Sequence, residues 1–330
     1  MTEPSLDVVA IGNAVVDVIA AADDGFIEAE GLAKGGMQLI DAARAVELYD
    51  RMGPGREVSG GSAANTLAGL AALGSRAAFV GQVADDQLGT VFRHDLTAAG
   101  VRFDTPARPG EPPTGRVLIL VTPDGQRTMN TFLGASHYLP AQTVDDALIR
   151  SGKLLYLEGY LWDSEEPRAA MRRAISAARD AGRQVAFGPS AVFVIERYRD
   201  DFRALVSDGL IDVFFANEEE AEALMQCPVE DAITALARDV PLVVVTRAER
   251  GATALRGDER TDVPAEPVAK VVDTTGAGDL FAAGFLHGHV AGRPVAECLR
   301  LGAICAAEVI SHYGARPEAD LKVLVAEKMD

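Results

Sequence analysis

Cysteine, histidine and positive charge are scarce in this sequence of 330 residues. The three cysteines, Cys227, Cys298 and Cys305, cannot build a disulfide framework, and none lies in a C-x-x-C pair. The five histidines form no H-E-x-x-H motif, so we expect no structural metal site. Lys and Arg number 31 against 49 Asp and Glu, and the net charge of −18 disfavours nucleic acid and anionic membranes as partners. A small anionic substrate stays compatible, because backbone N–H donors act at short range.

Long apolar runs are also absent. No stretch approaches the roughly 18 uncharged apolar residues that a membrane span needs. The opening MTEPSLDVVAIG carries acidic side chains and no positively charged segment, unlike a signal peptide. We therefore expect a cytoplasmic protein. The content of 48% hydrophobic and 24% charged residues is typical of a globular chain with a sizeable core.

Short apolar runs alternate with helical patterns along most of the chain. Ser164 and Gly182 bound one predicted helix, and Pro294 opens another. This alternation predicts an α/β fold with a mostly parallel sheet. The predicted strands, nearly all apolar as in strands covered on both faces, are Leu6–Ile11, Ala77–Val80, Leu154–Leu157, Gln184–Phe187, Ile211–Phe215 and Leu242–Val245.

Two segments interrupt the alternation: residues 14–40, which show no clear helix, and residues 101–135. The second segment contains the strand-like runs Gly115–Val121 and Arg127–Leu133, joined by a Pro-Asp-Gly turn that favours a hairpin. We predict that both segments form a small β lid on the main sheet. No Ser/Gly-rich linker divides the chain, so we expect a single domain over residues 1–330.

The most informative stretch is V-V-D-T-T-G-A-G-D-L-F, in which Gly276, Ala277 and Gly278 precede a helical segment. Small residues at a helix N-terminus expose N–H groups where the helix dipole favours an anion. Asp279 follows directly. A carboxylate beside an anion site suits a general base that deprotonates a hydroxyl attacking a phosphoryl group. An aspartate in the first turn of a helix can equally cap the helix.

A second motif, G-G-S-A-A-N, places two glycines before a helix of small residues, with Ser62 and Asn65 on one face. Gly61 would let a ligand approach the backbone, although close packing of the helix on the sheet also explains the glycines. Neither a Walker A motif nor a G-x-G-x-x-G after the first strand is present.

Together, G-G-S-A-A-N and D-T-T-G-A-G-D resemble the paired signatures of the ribokinase-like, PfkB-type kinases, in the same order and over essentially the whole chain. The resemblance implies a three-layer α/β/α fold, a mostly parallel sheet with a small β lid, and transfer of the ATP γ-phosphate to a hydroxymethyl group with Mg²⁺. It implies that Asp279 is the base and that the amides of Gly276, Ala277 and Gly278 stabilise the transferring phosphoryl group.

The resemblance implies further contacts. The segment G-N-A-V-V-D, which contains Asn13 and Asp17, is similar to the family segment whose aspartate holds two substrate hydroxyls. The run N-E-E-E, from Asn217 to Glu220, resembles an element near Mg²⁺ and the phosphates, with the glutamate reaching the metal through water. Other implied contacts are Thr246 and Gly314 with ATP, Arg127 with the phosphates on lid closure, and Asp273 and Thr275 with a monovalent cation such as K⁺. Ala248 stands where the family has a glycine in the nucleotide loop.

Within the family the chain looks most like adenosine kinases. The run S-A-V-F ending at Phe193 resembles their S-A-P-F, and Met129 and Leu133 match apolar lid positions that cover adenosine. Tyr160 or Trp162 is a candidate for stacking on the base, and core packing is the alternative role for these apolar residues. The implied acceptor site consists of Asn13, Asp17, Gly61, Ser62, Asn65, Met129, Leu133 and Phe193.

Three functions stay open at this point. The first is a kinase that uses ATP and Mg²⁺ to phosphorylate the 5′-hydroxyl of a nucleoside, adenosine foremost. The second is a sugar kinase of the same family, of the ribokinase, fructokinase or 2-keto-3-deoxygluconate kinase type, and the third is a non-catalytic nucleoside-binding regulator. The sequence does not decide between a monomer and a homodimer formed through the lids.

Overall fold

The computed structural model describes residues 3–329, which fold into two β-sheets and flanking helices. The strands are β1 (Leu6–Ile11), β2 (Val15–Ala21), β3 (Met37–Leu39), β4 (Gly55–Gly60), β5 (Ala77–Val80), β6 (Val101–Phe103), β7 (Thr114–Val121), β8 (Arg127–Gly134), β9 (Gly152–Glu158), β10 (Gln184–Gly188), β11 (Val213–Asn217), β12 (Leu242–Thr246), β13 (Ala252–Arg256) and β14 (Glu259–Val263). The helices are α1 (Asp24–Ala29), α2 (Ala42–Arg51), α3 (Ser62–Ala72), α4 (Gln87–Ala98), α5 (Asp146–Ser151), α6 (Glu165–Asp180), α7 (Val192–Ser207), α8 (Glu218–Met225), α9 (Val229–Leu236), α10 (Ala277–Val290), α11 (Val295–Val309) and α12 (Leu321–Met329).

The large sheet has nine strands in the order β14-β13-β12-β11-β10-β9-β1-β5-β6. The strands from β12 to β6 are parallel, and β13 and β14 add an antiparallel hairpin at one edge. The predicted mostly parallel sheet is therefore confirmed. The run predicted to begin at Ile211 enters the sheet at Val213, because the two preceding residues form the turn into the strand.

Helices cover both faces of the large sheet. Along β1, Val8 and Ala10 belong to one buried cluster, while Val9 and Ile11 belong to the other. This alternation follows from the two-residue period of a strand. Helices α3, α4, α10 and α11 contribute to the first cluster, and α5 to α9 contribute to the second, which gives the three layers.

The small sheet has five strands in the order β3-β8-β7-β2-β4. The hairpin predicted around residues 123–125 is present: β7 and β8 pair antiparallel, and the Gly125 N–H donates to the Thr122 carbonyl at 2.8 Å. One face of the sheet, including Val16, Leu118 and Leu120, packs in the core with Leu48 of α2. The opposite face is turned toward the carboxyl edge of the large sheet.

Three predictions about the small sheet need correction. Strand β4, Gly55–Gly60, lies outside both predicted segments, because its charged side chains hide the strand pattern. Val101–Phe103 pairs with β5 in the large sheet, so the part of 101–135 that joins the small sheet begins at Thr114. Residues 14–40 contain the short helix α1, whose N-cap Asp23 accepts a hydrogen bond from the Phe26 N–H, and six residues are too few for a periodic pattern.

Within residues 3–329, no helix is both long enough and apolar enough to cross a membrane. The three cysteines are free, and Cys298 and Cys305 are buried on α11.

Candidate active site

A cavity of about 530 Å³ lies between the small sheet and the carboxyl edge of the large sheet. We call it the first cavity. Parallel sheets place their ligand sites at this edge, where strand ends and helix N-termini meet. The structure brings together here all the residues of the implied acceptor site, Glu220, and the start of α10. Its lining includes Asn13, Val15, Asp17, Gly61, Ser62, Asn65, Val117, Ile119, Met129, Leu133, Glu158, Tyr160, Phe193, Asn217, Glu220, Gly276, Ala277, Gly278 and Asp279.

Asp279 lies in the first turn of α10 and receives hydrogen bonds from α3. The Ser62 hydroxyl donates to Oδ1 at 2.6 Å, and Asn65 Nδ2 donates to Oδ2 at 3.0 Å. Burial raises the pKa of Asp279, and these two hydrogen bonds together with the charge of Arg316 oppose part of that rise. The two predicted motifs therefore meet at one carboxylate, which is oriented toward a cavity and is not used to cap its own helix.

The glycines at the start of α10 have different structural roles. Gly276 is the N-cap with φ of 78°, and a Cβ there would lie 2.7 Å from the Ala315 Cβ, so the fold itself requires glycine. At Gly278 an added Cβ would meet nothing within 4 Å. Because Gly278 lines the first cavity and the neighbouring second one, its small size leaves room for a ligand.

Asp17 and two asparagines form the polar part of the first cavity near Asp279. Burial raises the pKa of Asp17 to about 7, although Arg316 and Arg127 oppose part of the rise. Oδ1 of Asn13 and Oδ1 of Asn65 are buried and have no hydrogen-bond partner in the described chain. A buried oxygen without a partner costs free energy, so these atoms suit a ligand that brings hydroxyl donors.

Glu158, at the end of β9, is a site residue that the sequence analysis missed. Its side chain is buried, with Oε1 accepting from the Asn13 N–H and Oε2 from the Ala63 N–H, each at 2.6 Å. Burial raises its pKa to about 7. The carboxylate ties the end of β1 to the start of α3 and thereby fixes two acceptor-site elements. A carboxylate directly after the apolar run Leu154–Leu157 is the signal that could have revealed it.

The small sheet gives the first cavity an apolar wall. The side chains at alternate positions of β2, β7 and β8 face the cavity, as the two-residue period requires. Tyr160 and Phe193 form the far end, with ring centroids 6.2 Å apart. The cavity-facing apolar residues of the small sheet are Val15, Met37, Leu39, Val117, Ile119, Met129 and Leu133.

The structure corrects one stacking candidate. Trp162 is fully buried against Phe202, and its indole N–H donates to Asp201 Oδ2 at 2.7 Å. It belongs to the core beneath α7 and does not line the first cavity. Tyr160, in the same turn, is an aromatic residue that does line the first cavity.

A second cavity of about 640 Å³ adjoins the first, and we call it the second cavity. Thr246, the last residue of β12, lines it together with Val268, Val271 and Phe281. Ala248 also lines it and has φ of 48°, in the left-handed region that favours glycine. The two cavities share Asn217, Thr274, Ala277 and Gly278. The N-terminus of α10 is therefore the boundary between them.

Asn217 and Glu220 form a capping box at the start of α8. Asn217 Oδ1 accepts from the Glu220 N–H at 2.8 Å, and Glu220 Oε2 accepts from the Asn217 N–H at 2.9 Å. This pairing explains the N-x-x-E spacing locally. Both residues also line the first cavity, and burial raises the pKa of Glu220.

Asp273 is fully engaged by protein groups. Its Oδ1 accepts from the Thr275 N–H at 3.0 Å and from the Thr275 hydroxyl at 2.8 Å. Its Oδ2 accepts from the Gly314 N–H at 2.8 Å and pairs with Arg127 Nη2 at 2.6 Å, both side chains being buried. With both oxygens of Asp273 engaged, this arrangement gives no support to the implied monovalent cation at Asp273 and Thr275, and that contact stays a prediction.

Gly314 does not reach the second cavity. It lines a small cavity of about 80 Å³, which we call the third cavity, together with Asp17, Asn65, Tyr313 and Arg316. The segment after α11 folds back toward the small sheet, and this carries Gly314 to the acceptor side. Its implied contact with ATP is therefore without support from its position.

Comparison with known proteins shows which chains resemble this one in sequence and fold. The structure of adenosine kinase from Sinorhizobium meliloti is 48% identical, with a TM-score of 0.92, covering 98% of this chain and 99% of that chain. The structure of a probable sugar kinase protein from Rhizobium etli CFN 42 is 43% identical, with a TM-score of 0.93 and 99% of each chain covered. An uncharacterized sugar kinase from Archaeoglobus fulgidus is 32% identical over 253 residues, which are 75% of this chain and 96% of that protein.

The family model for pfkB family carbohydrate kinases matches residues 6–321. The match contains both motifs and every site residue described above. The third function left open by the sequence, a non-catalytic regulator, finds no parallel in these comparisons, since the relatives are kinases. The chain is therefore a kinase with the ribokinase-like fold and belongs to the pfkB family.

Proposed function

We propose that this kinase transfers the γ-phosphoryl group of ATP to the 5′-hydroxyl of a nucleoside, adenosine foremost. The observation that carries the proposal is the junction of the two cavities at Gly278, with an acceptor cavity whose walls are largely apolar. A phosphoryl donor in the second cavity and an acceptor in the first would meet at the N-terminus of α10. The helix dipole and the N–H groups of Gly276 and Gly278 there favour the transferring phosphoryl group, whereas the Ala277 N–H donates to the Thr274 carbonyl at 3.2 Å.

The first cavity suits a flat base joined to a polyhydroxylated sugar. Met129 and Leu133 on one side and Tyr160 and Phe193 at the end supply apolar and aromatic contacts for a purine. Asp17, together with the unpartnered Oδ1 atoms of Asn13 and Asn65, suits the ribose hydroxyls. The polar groups lie at the Asp279 end of the cavity. The 5′-hydroxyl would therefore reach the Asp279 carboxylate, while the purine would lie under the small sheet, which acts as a lid.

Asp279 acts as the general base in this proposal. Its carboxylate takes the proton of the 5′-hydroxyl as the oxygen forms its bond to the γ-phosphorus and the bond from the γ-phosphorus to the bridging oxygen of ADP breaks. Ser62 and Asn65 orient the carboxylate. The amides of Gly276 and Gly278 stabilise the charge on the transferring group, and the Ala277 amide would join them only by releasing the Thr274 carbonyl.

The residues present fit ATP with Mg²⁺. Gly278 leaves open the space that a Cβ would fill, and Thr246, Val271 and Phe281 border a cavity large enough for a nucleotide. Glu220 offers one carboxylate near the junction, and residues 3–329 contain no cluster of three or more side chains suited to a metal. Mg²⁺ commonly binds through one or two carboxylates, water and substrate phosphates. Bound there, Mg²⁺ would neutralise charge on the phosphates.

A sugar kinase is the second candidate. The favouring observation is the density of polar groups at the inner end of the first cavity, where Asp17, Asn13, Asn65 and Glu158 would suit a free sugar as well as a ribose. The relatives from Rhizobium etli and Archaeoglobus fulgidus carry sugar kinase names.

A panel of acceptors separates the two candidates. The purified protein with ATP and Mg²⁺ is assayed on adenosine, inosine, ribose, fructose and 2-keto-3-deoxygluconate. The proposal expects the highest kcat/KM with adenosine and a phosphorylated 5′ position in the product. Phosphorylation of a free sugar with none of adenosine would replace the proposal by the sugar kinase candidate.

A further inference from the structure

Arg316 lies in the segment between α11 and α12 and binds the turn that joins β4 to α3. Its guanidinium donates to the Ser59 carbonyl from Nη2 at 2.8 Å and from Nε at 3.3 Å. Nη2 also donates to the Ser59 hydroxyl at 3.0 Å, and Nη1 donates to the Ala64 carbonyl at 2.8 Å. The planar guanidinium therefore spans both ends of this turn, which contains Gly60 and Gly61.

The helix that begins at this turn, α3, carries the two donors that hold Asp279. Ser62 and Asn65 flank the Ala64 carbonyl in the chain, and both side chains end on the Asp279 carboxylate. Gly61 has φ of 96°, so the turn depends on a backbone conformation that few residues adopt. A contact that fixes Ser59 and Ala64 thus also fixes the donors of the base.

The charge of Arg316 acts on the same group. Arg316 and Asp17 line the third cavity together, and Asn65, a hydrogen-bond donor to Asp279, lines it as well. Burial lowers the pKa of Arg316 to about 10, while Asp17, Asp279 and Asp95 oppose part of that fall, so the side chain stays charged at neutral pH. The other charged groups around the third cavity and the Asp279 end of the first are Arg56, Glu318, Arg127, Glu158 and Glu220.

We propose that Arg316 is a positioning residue for the base: it clamps the Ser59–Ala64 turn and so holds Ser62 and Asn65 against the Asp279 carboxylate. The proposal rests on the proposed role of Asp279 as base. Arg316 lines the third cavity and is not among the lining residues of the first or the second, and its hydrogen bonds end on the turn.

Two variants separate charge from clamping. Arg316→Met removes both, whereas Arg316→Lys keeps the charge and loses the planar three-point clamp. The titration of the Asp279 carboxyl is followed by ¹³C NMR in the full-length protein, and the Asp279 signal is assigned as the one missing from Asp279→Asn. In parallel, kcat with ATP and adenosine is measured as a function of pH. The charge of Arg316 opposes the rise in the Asp279 pKa, so its loss raises that pKa further. We therefore expect Arg316→Met to move the Asp279 midpoint and the acid limb of kcat to higher pH and to lower kcat.

In Arg316→Lys we expect a midpoint close to wild type and a lower kcat at every pH. Arg93→Met is the matched control, because Arg93 also donates to two backbone carbonyls, those of Phe103 and Thr105, at the far edge of the large sheet. It should lower the unfolding temperature without moving the midpoint. Wild-type kcat in both Arg316→Met and Arg316→Lys would overturn the proposal. A wild type that phosphorylates no acceptor would overturn the proposed function, and the NMR titration would still decide the effect of Arg316 on Asp279.

Discussion

Asp279 receives its orientation from another helix, since Ser62 and Asn65 of α3 both donate to it. Asp279→Asn keeps the shape of the side chain and removes its basicity. We expect the fold and ATP binding to persist, while kcat falls by about 10²–10⁴, as is typical when a general base is lost. Steady-state kinetics and the thermal unfolding temperature check both parts.

The pH profile belongs to the same prediction. Burial raises the pKa of Asp279 above its ordinary value, so the carboxylate is lost as pH falls through that raised pKa. We expect kcat of the wild type to decline toward acid, with a limb that Asp279→Asn lacks. A variant that keeps a third of wild-type turnover would remove Asp279 from the role of base.

A substitution at Gly278 should lower kcat without lowering the stability of the fold. A Cβ at this position meets no protein atom within 4 Å and projects into the space between the cavities. We expect Gly278→Ala to leave the unfolding temperature unchanged or slightly higher, because alanine favours helix over glycine by about 1 kcal/mol. Its kcat should fall, because the methyl group occupies the place of the phosphoryl group.

Gly25→Ala is the matched control for this change. Gly25 is likewise the second residue of its helix, α1, and lies outside both cavities. Gly25→Ala should keep wild-type kinetics. Wild-type kcat in Gly278→Ala would mean that no phosphoryl group passes this position.

Residues inside a contiguous motif were predictable, and those that meet only in the fold were not. Asp279 and Gly276 lie in one run of glycines and small residues, and their chemistry follows from that run. Glu158 and Arg316 each stand alone in sequence, and their partners Ala63 and Ser59 are 95 and 257 positions away. No local pattern carries such a contact.

At the scale of elements, the loop after β12 adopts a conformation that its sequence does not favour. Ala248 has φ of 48°, and the left-handed region costs a non-glycine residue roughly 1–2 kcal/mol. Replacement by glycine would remove this cost. It would also make folding less favourable by about 0.5–1 kcal/mol, because glycine loses more backbone entropy on folding. We expect Ala248→Gly to raise the free energy of unfolding by up to about 1 kcal/mol, measured by chemical denaturation.

Ala265→Gly is the control, because Ala265 also lines the second cavity and has no positive φ. It should lower the free energy of unfolding. A lower value in Ala248→Gly as well would show that this loop carries no strain.

The pairing of Arg127 with Asp273 joins β8 of the small sheet to the loop before α10. Because both carboxylate oxygens are engaged, we expect kcat to change little when K⁺ is replaced by a bulky organic cation. Arg127→Gln leaves the buried carboxylate without its counter-charge, so this variant should become dependent on K⁺. The assay is the initial rate at constant ionic strength. Strong stimulation of the wild type by K⁺ would contradict the prediction.

The sequence predicted elements according to how completely they are buried. Strands such as β1 and β5, covered on both faces, consist almost entirely of apolar residues and coincide with the predicted runs. Strand β4 at the edge of the small sheet carries Arg56 and Glu57, and such a half-exposed strand resembles a loop in sequence. Helix α1 was not predicted for a different reason: its six residues are too few to show a helical period.

At the scale of the whole molecule, the arrangement of the small sheet decides which surfaces are available. One face lines the first cavity and the other packs on Leu48 of α2, because side chains alternate along β2 and β7. A dimer through the face covered by α2 would require that helix to move. The sequence predicted a hairpin above the main sheet, and the burial of its core-facing side depends on contacts between segments more than 60 residues apart, such as those of α2 with β7.

The separation of the two cavities allows donor and acceptor binding to be changed independently. Phe193 closes the far end of the first cavity beside Tyr160, and Val271 borders only the second. Burial of an apolar side chain stabilises by roughly 1–3 kcal/mol, so Phe193→Ala should raise the KM for adenosine by about ten- to a hundred-fold. The KM for ATP should stay unchanged.

Val271→Ala, the reciprocal control, should raise the KM for ATP and leave that for adenosine unchanged. If Phe193→Ala proves indifferent and a free sugar is the acceptor, the aromatic end of the first cavity does not bind a base, and the polar groups around Asp17 would then be the whole acceptor site.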